Sequence, residues 1–549
     1  MIISNDLFSV EIHASTGETE GLRQNSNPFI NWARRGKTGM PSALQYLDRH
    51  EVFESEIKLV YQFLIKDIKC FVHKKLTDRG LEESYEFLND GKKEIELTEE
   101  DLGIYLTFAD GVDIPAVMPR RSVSNLSVCG CSSFVTSRMR DGKGLAMVLT
   151  EGSLSSYSVE RGRSLRERGD IILESAPKTL KIGESYKISW IIFPFEDEND
   201  FLQKAKEYSP AFLELDGELC RSVGEDFCFS LNAEMVFCDE VEYPIKDGRF
   251  TLPAKIDSEK KVEFVYGERK SFVCCRSYNL SVLVSERSNA EPISLKDNIC
   301  HCLLLLAGRK RGFISSHEGE ALLSRLEDEW TAVLSHDPRP DPYAFTALSN
   351  LFLLWGEISG EERYSRLGEE VFGFVKESKE GKYLYLNPIC GVEKISPEMA
   401  RLLEEQENLD FSETVFSYER ERDMALIGLA LGKEPDVNPL LTFLPINSRD
   451  YKALAGCSYW RDFREGDVLS CIGFTAFADL LFRLEKDSKI PTGRAKRFAS
   501  ALLALYWEGE GFAGFSFPRK INDIEGEGRK DVSFASDFAL GYLILKELI

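Results

Sequence analysis

Near residue 290 the apolar residues change their spacing, and this change limits what the chain can fold into. Before it, short runs rich in Val, Ile, Phe and Tyr alternate with Gly, Asp and Asn: LFSVEIHAS, EIKLVYQFLI, YEFLND, GIYLTFADG, GLAMVLTEG and YKISWIIFPF. Such runs read as strands, and strands with no helical pattern between them predict an antiparallel sandwich or barrel. After it, segments with a polar face alternate with segments that are apolar nearly all round. EALLSRLEDEWTAVLSH and EERYSRLGEEVFGFVKES are of the first kind; DPYAFTALSNLFLLWGEI and DFALGYLILKELI are of the second. Wet-faced helices alternating with buried ones are what two concentric rings require.

The strand-rich half itself divides. DFLQKAKEYSPAFLEL is one helical piece with lysines and a Ser-Pro, which marks a boundary near residue 210. Beyond it, closely spaced short strands with turns such as DGR predict a small Ig-like sandwich. The expected class is therefore multidomain β plus α. It has an antiparallel β-supersandwich over 1–210, an Ig-like β-sandwich over 211–287 and an α/α toroid over 288–549. Three units suit a chain of 549 residues, which is too long for one ordinary core.

Composition removes several classes. A net charge of −23, from 91 acidic and 68 basic residues, argues against nucleic acid as a general partner. The start, MIISNDLFSVEIHASTG, lacks the basic and apolar regions of a signal peptide, and no apolar run reaches the ~18 residues of a membrane span. Thirteen cysteines, an odd number, read mostly as reduced core thiols. Together these predict a cytoplasmic protein. Cys129-Gly-Cys131 and Cys300-His-Cys302 are the pairs that could grip a metal, but neither has a second pair at a metal-site spacing. No metal and no cofactor is expected. Neither a P-loop nor a dinucleotide fingerprint occurs.

The opening NDLFSVEIHASTGETEGLRQNSNPFINW carries Thr16, Gly17 and Leu22 in a strand-and-hairpin pattern, followed by Asn25, Asn27 and Asn31. With helices following the strands, this resembles the two-part glycoside hydrolases, in which a β-supersandwich precedes an α/α toroid, as in the six-hairpin glycosidases. The resemblance implies a carbohydrate-active enzyme with its site at the toroid mouth. The chain departs from that pattern in its Ig-like insert, and residues 288–549 are few for six full hairpins, so an incomplete toroid is expected.

In a toroid the loops before the inner helices converge. Four such loops stand out: HDPRPDPYAF, DFSETVFSYERERD, the stretch from Tyr459 to Asp467 and EGRKDVSFASDF. The third lies within Ser448–Leu484, where a charged, aromatic segment feeds a long apolar helix whose free N–H groups favour a site. Glycoside hydrolysis needs an acid and a second carboxylate. Glu419 and Asp462, each beside an aromatic and an arginine, are the candidates, with Glu465 and Asp467 in reserve. For any one of them the ordinary reading is a helix cap or a surface charge.

Arg420, Arg461 and Arg464, with Arg120 and Arg121 from the β half, could pair with a uronate or with neighbouring acids. Tyr418, Tyr459, Trp460 and Trp32 could stack on sugar rings or sit in the core. The six histidines all lie at or before His336, which speaks against a Ser-His-Asp site in the helical loops. The leading reading is a glycoside hydrolase acting on short oligosaccharides, uronic-acid-containing ones among them. The alternatives are a lyase using Tyr418 or Tyr459 with Arg420 or Arg461, and a sugar-binding protein without catalysis.

Overall fold

The computed structural model describes residues 1–33, 37–108, 122–159, 171–336, 342–377 and 432–451. It also describes 471–504, 535–549 and short pieces at 421–422, 424–425, 428–429, 506–507, 511–512, 520–521 and 524–525. Strands dominate up to Tyr278, and helices take over from Leu280. The helices begin about ten residues before position 290: Leu280–Arg287, which the sequence assigns to the Ig-like unit as strand, is a helix capped by Asn279. Four short strands between Tyr506 and Glu525 were not expected.

The largest sheet among the described residues has eight antiparallel strands. In spatial order they are Ser122–Ser127, Phe134–Met139, Gly144–Glu151, Ser185–Phe195, Leu81–Asn89, Ile68–Leu76, Glu56–Phe63 and Gln45–Val52. Alternation makes the sheet two-faced. One face (Leu59, Val72, Phe87, Trp190) packs against smaller sheets that contribute Val10, Leu22, Ile104 and Leu173. The other face (Phe134, Val148, Phe193) is covered by Phe201 and Ala205 of helix Glu198–Tyr208 and by Phe212 and Ile446. Asp197 caps that helix by accepting from the Asp200 N–H at 2.9 Å.

The opening hairpin shows why its residue types are needed. Gly17 has φ 76°, and a Cβ there would lie 2.0 Å from the Tyr61 hydroxyl. That hydroxyl donates to Thr16 O at 3.0 Å, so the turn is fixed onto the large sheet. Asn31 accepts from the N–H groups of Leu22 and Ala33 and donates to Glu20 O.

One pair of core positions on neighbouring strands is charged. Lys74 and Glu83 face each other in register, and both are buried. Glu83 also accepts from Thr107 Oγ1 at 2.6 Å and Trp190 Nε1 at 2.8 Å.

The second β unit has a three-stranded and a five-stranded sheet around Phe227, Phe229, Phe250, Val262, Phe264 and Val273. Its core runs on without a break into the helices. Strand Arg269–Tyr278 is where three parts of the chain meet. Cys131 N donates to Lys270 O and Phe272 N to Cys129 O; Cys274 N donates to Arg449 O and Arg276 N to Leu219 O. Thus one strand edge serves in turn the first β unit, the helical part and its own sheet. Arg449 is buried beside this junction, its guanidinium 5.6 Å from the Phe134 ring and 5.4 Å from that of Phe212.

Among the described residues the helical part forms an arc of four apolar helices. Pro342–Ser359 packs on Leu295–Lys310, that helix on Ala535–Leu545, and the last on Cys471–Lys486. Glu318–His336, Glu362–Glu377 and Arg494–Ala504 back the arc, the first two as expected from their polar faces. The first and last helices of the arc run parallel. Asp537 meets His301, a Cβ on Gly541 would lie 2.9 Å from Leu303 and Leu304 backbone, and Arg311 donates to Ile544 O. Residue numbers rise together along both. Parallel neighbours need returning helices between them, which the backing helices supply. No helix of the described residues is long and apolar enough to cross a membrane.

Candidate functional site

Leu295–Lys310 and Ala535–Leu545 run the same way, so the N-terminal ends of these two arc helices share one side. Segments outside the described residues lead into three of the arc helices, at 337–341, 452–470 and 526–534. Ahead of the last helix, Lys520 and Ile521 pair in parallel with Ser158 and Val159 of the first β unit. The chain ahead of the last helix is thus paired with the first β unit.

Two side-chain clusters stand out among the described residues. The first ties sheet to helices. The strand Phe134–Met139 ends in a tight turn closed by Gly142 N to Met139 O, and Arg140 projects from it. Its Nε lies 3.1 and 3.2 Å from the two Glu421 carboxylate oxygens, and its Nη2 is 3.0 Å from Oε2. Arg138, one strand position before Met139, donates to the carbonyls of Thr442 and Leu444. Burial pulls the Arg138 guanidinium down to about 10, with Glu198 opposing and Arg494 adding to the shift. Glu421, an acid of the second predicted loop, is thus helical and buried, and its carboxylate is engaged by Arg140.

The second cluster lies inside the arc. Asp537, in the first turn of the last helix, is fully buried. Arg287 grips it with Nε at 2.7 Å and Nη2 at 2.9 Å, and His301 Nδ1 lies 3.2 Å from Oδ2. A carboxylate on Nδ1 fixes the orientation of the buried ring. His301 lies in none of the four loops that the sequence offers as a site. The signal was there in ICHCLLLL: an imidazole in a run this apolar needs a buried partner.

Twelve of the predicted site residues lie outside the described residues: Tyr418, Glu419, Arg420, Tyr459, Trp460, Arg461, Asp462, Arg464, Glu465, Asp467, Arg120 and Arg121. Their described neighbours are informative. Ser122, which follows Arg121, pairs with Met139, and Glu421, which follows Arg420, is held by Arg140. Trp32 is a correction. Its N–H pairs with Leu22 O and its indole is buried in the first core, so it offers no face to a sugar.

The cysteine pairs do different work. Cys300 and Cys302 are buried on one helix, and Cys302 Sγ contacts Gly319 O. Cys129 and Cys131 belong to the junction strand edge. Burial pushes the Cys129 thiol up to about 11, while Arg449 and Ser127 pull it down. Among the described residues no three His, Cys, Asp or Glu groups gather as metal ligands.

No protein-family model matches the chain, and no curated protein matches it. A solved polysaccharide lyase matches over 100% of both chains, with a TM-score of 0.72 at 16% identity. A galactose mutarotase-like protein from Lactobacillus casei covers 36% of this chain and 99% of its own, with a TM-score of 0.25 at 12% identity. The first likeness establishes the fold, from end to end.

Proposed function

We propose that the chain is a carbohydrate-active enzyme that cleaves uronic-acid-containing oligosaccharides by β-elimination. The full-length likeness to a polysaccharide lyase carries this reading. It moves the lyase ahead of the hydrolase to which the sequence alone gave first place.

In elimination a base takes the proton at C5, next to the uronate carboxylate. The C4–O bond then breaks, its electron pair leaves with the oxygen, and a C4–C5 double bond remains. A cation at the carboxylate stabilises the charge that builds up as the proton leaves. Arg420 and Arg461, with Arg464, Arg120 and Arg121 in support, suit the carboxylate. Tyr418, Tyr459 and His301 are the candidate bases, and Asp537 would orient His301. Trp460 suits a sugar ring.

The test is incubation with uronate-containing oligosaccharides while ultraviolet absorbance is followed. Elimination yields an unsaturated uronide that absorbs. New reducing ends without that absorbance would return the assignment to hydrolysis, with Glu419 and Asp462 as acid and base and Glu465 and Asp467 next.

A further inference from the structure

Arg449 is 1% exposed and sits where three parts of the chain meet. Its Nη1 donates to Asn447 Oδ1, a neutral acceptor. Its Nε and Nη2 are buried, and neither has a hydrogen-bond partner among the described residues. No carboxylate among those residues forms a salt bridge with it. Glu214, the acid whose charge acts on it, is half exposed and paired with Lys206. The rings of Phe134 and Phe212 lie 5.6 and 5.4 Å away. Cation–π contact offsets only part of the cost of burying an uncompensated charge, and a guanidinium cannot shed its proton. The Cys129 thiol beside it is pushed up to about 11 by burial, so it stays protonated at neutral pH and adds no negative charge.

A second buried donor belongs to the same place. The Tyr266 hydroxyl also lacks a partner among the described residues, and Arg449, Cys129 and Cys131 are the groups whose charges act on it. Tyr266 pairs with Arg269 at the end of the hairpin whose second strand, Arg269–Tyr278, holds the main chain of Cys129, Cys131 and Arg449. Three buried N–H and O–H donors and one permanent positive charge, with no carboxylate to meet them, call for an anion. The neighbours set its kind. Two phenyl rings and a thiol give a polyatomic oxyanion too few donors for its oxygens. A compact monovalent anion matches one guanidinium and three donors.

We propose that Arg449 and Tyr266 hold a buried chloride ion at the junction of the two β units and the helical part. The test is urea unfolding of the full-length chain in sodium chloride or in sodium gluconate, whose anion is too bulky to enter, at equal ionic strength. Chloride should raise the wild-type midpoint, increasingly with its concentration. Arg449→Met keeps the bulk of the stem and removes the charge, so its midpoint should be the same in both salts. Tyr266→Phe keeps the ring and removes one donor, and the chloride concentration at which stabilisation sets in should rise about tenfold. Crystals soaked in bromide should show an anomalous peak within hydrogen-bond reach of Arg449 Nε. If Arg449→Met does not fold, Tyr266→Phe and the crystals decide. A wild-type midpoint indifferent to the salt, variants that respond like wild type, or no bromide beside Arg449 would overturn the proposal.

Discussion

The ammonium of Lys74 lies 2.5 Å from Glu83 Oε1, and neither side chain reaches solvent. Both stand at positions where the alternation of their strands calls for core residues, beside Val72 and Tyr85. Both Glu83 oxygens are engaged, one by Lys74 and the other by Thr107 and Trp190, so the charge is fully solvated by the protein. Glu83→Gln should destabilise the chain by roughly 3–5 kcal/mol, because it leaves the buried ammonium without its counter-charge. Lys74→Met with Glu83→Leu together should lose far less. Equal losses in chemical denaturation would show that the charge pairing is not what matters at this place.

The Arg140–Glu421 pair bridges sheet and helices with hydrogen bonds from two guanidinium nitrogens. A double-mutant cycle with Arg140→Ala and Glu421→Gln should give a coupling of about 1.5–3 kcal/mol, the range for hydrogen bonds to charged groups. A coupling near zero in the same unfolding measurement would mean that the two units are held by other contacts.

His301→Gln tests the buried imidazole. If His301 is the base, turnover on a uronide substrate should fall by ~10²–10⁴-fold. Turnover within a few-fold of wild type would leave Tyr418 and Tyr459 as the bases, to be tested as Tyr→Phe.

Asp479, on the helix Cys471–Lys486, gives a pH prediction. Burial raises its pKa, against the pull of Arg483, Lys546 and Tyr542. The folded state therefore keeps this proton to a higher pH than the unfolded chain, whose Asp titrates near ~3.9. Stability from this group is present below that value and is lost as pH rises through the folded pKa. Asp479→Asn should consequently gain on wild type as pH rises across that window. Melting temperatures that shift in parallel from acid to neutral pH would refute this.

Arg461→Ala and Arg464→Ala should weaken acidic sugars more than neutral ones, since the charge-assisted pair, typically ~1.5–3 kcal/mol, has no counterpart in a neutral sugar. Binding isotherms for a matched acidic and neutral pair decide; equal losses would mean that these arginines only hold their own segment.

Much of the fold was legible because burial leaves a period in the sequence. The helices Pro342–Ser359 and Ala535–Leu545 are apolar on most sides and lie in the arc, whereas Glu318–His336 has a polar face and lies behind it. Strand Ile68–Leu76 was harder to see. IKCFVHKKL carries three lysines and a histidine, and one of those lysines, Lys74, is core. Composition hides such a strand; only strict alternation reveals it. The candidate site was legible only in part for a related reason. Glu421 reads from sequence like its neighbours Glu419 and Asp423, and only the approach of Arg140, far away in the chain, gives it a separate role. Asp537 and His301 are likewise distant in sequence and become partners only once the last helix lies along the first.

The shared edge of Arg269–Tyr278 has a consequence for how the parts of the chain can move. Enzymes of two parts often admit substrate by swinging one part away from the other. Here such a swing would break main-chain hydrogen bonds at Phe272 and at Cys274 together, since the first β unit and the helical part hold adjacent positions on one strand. The framework is braced, not hinged. The first β unit and the helical part are clamped to one strand and must move together.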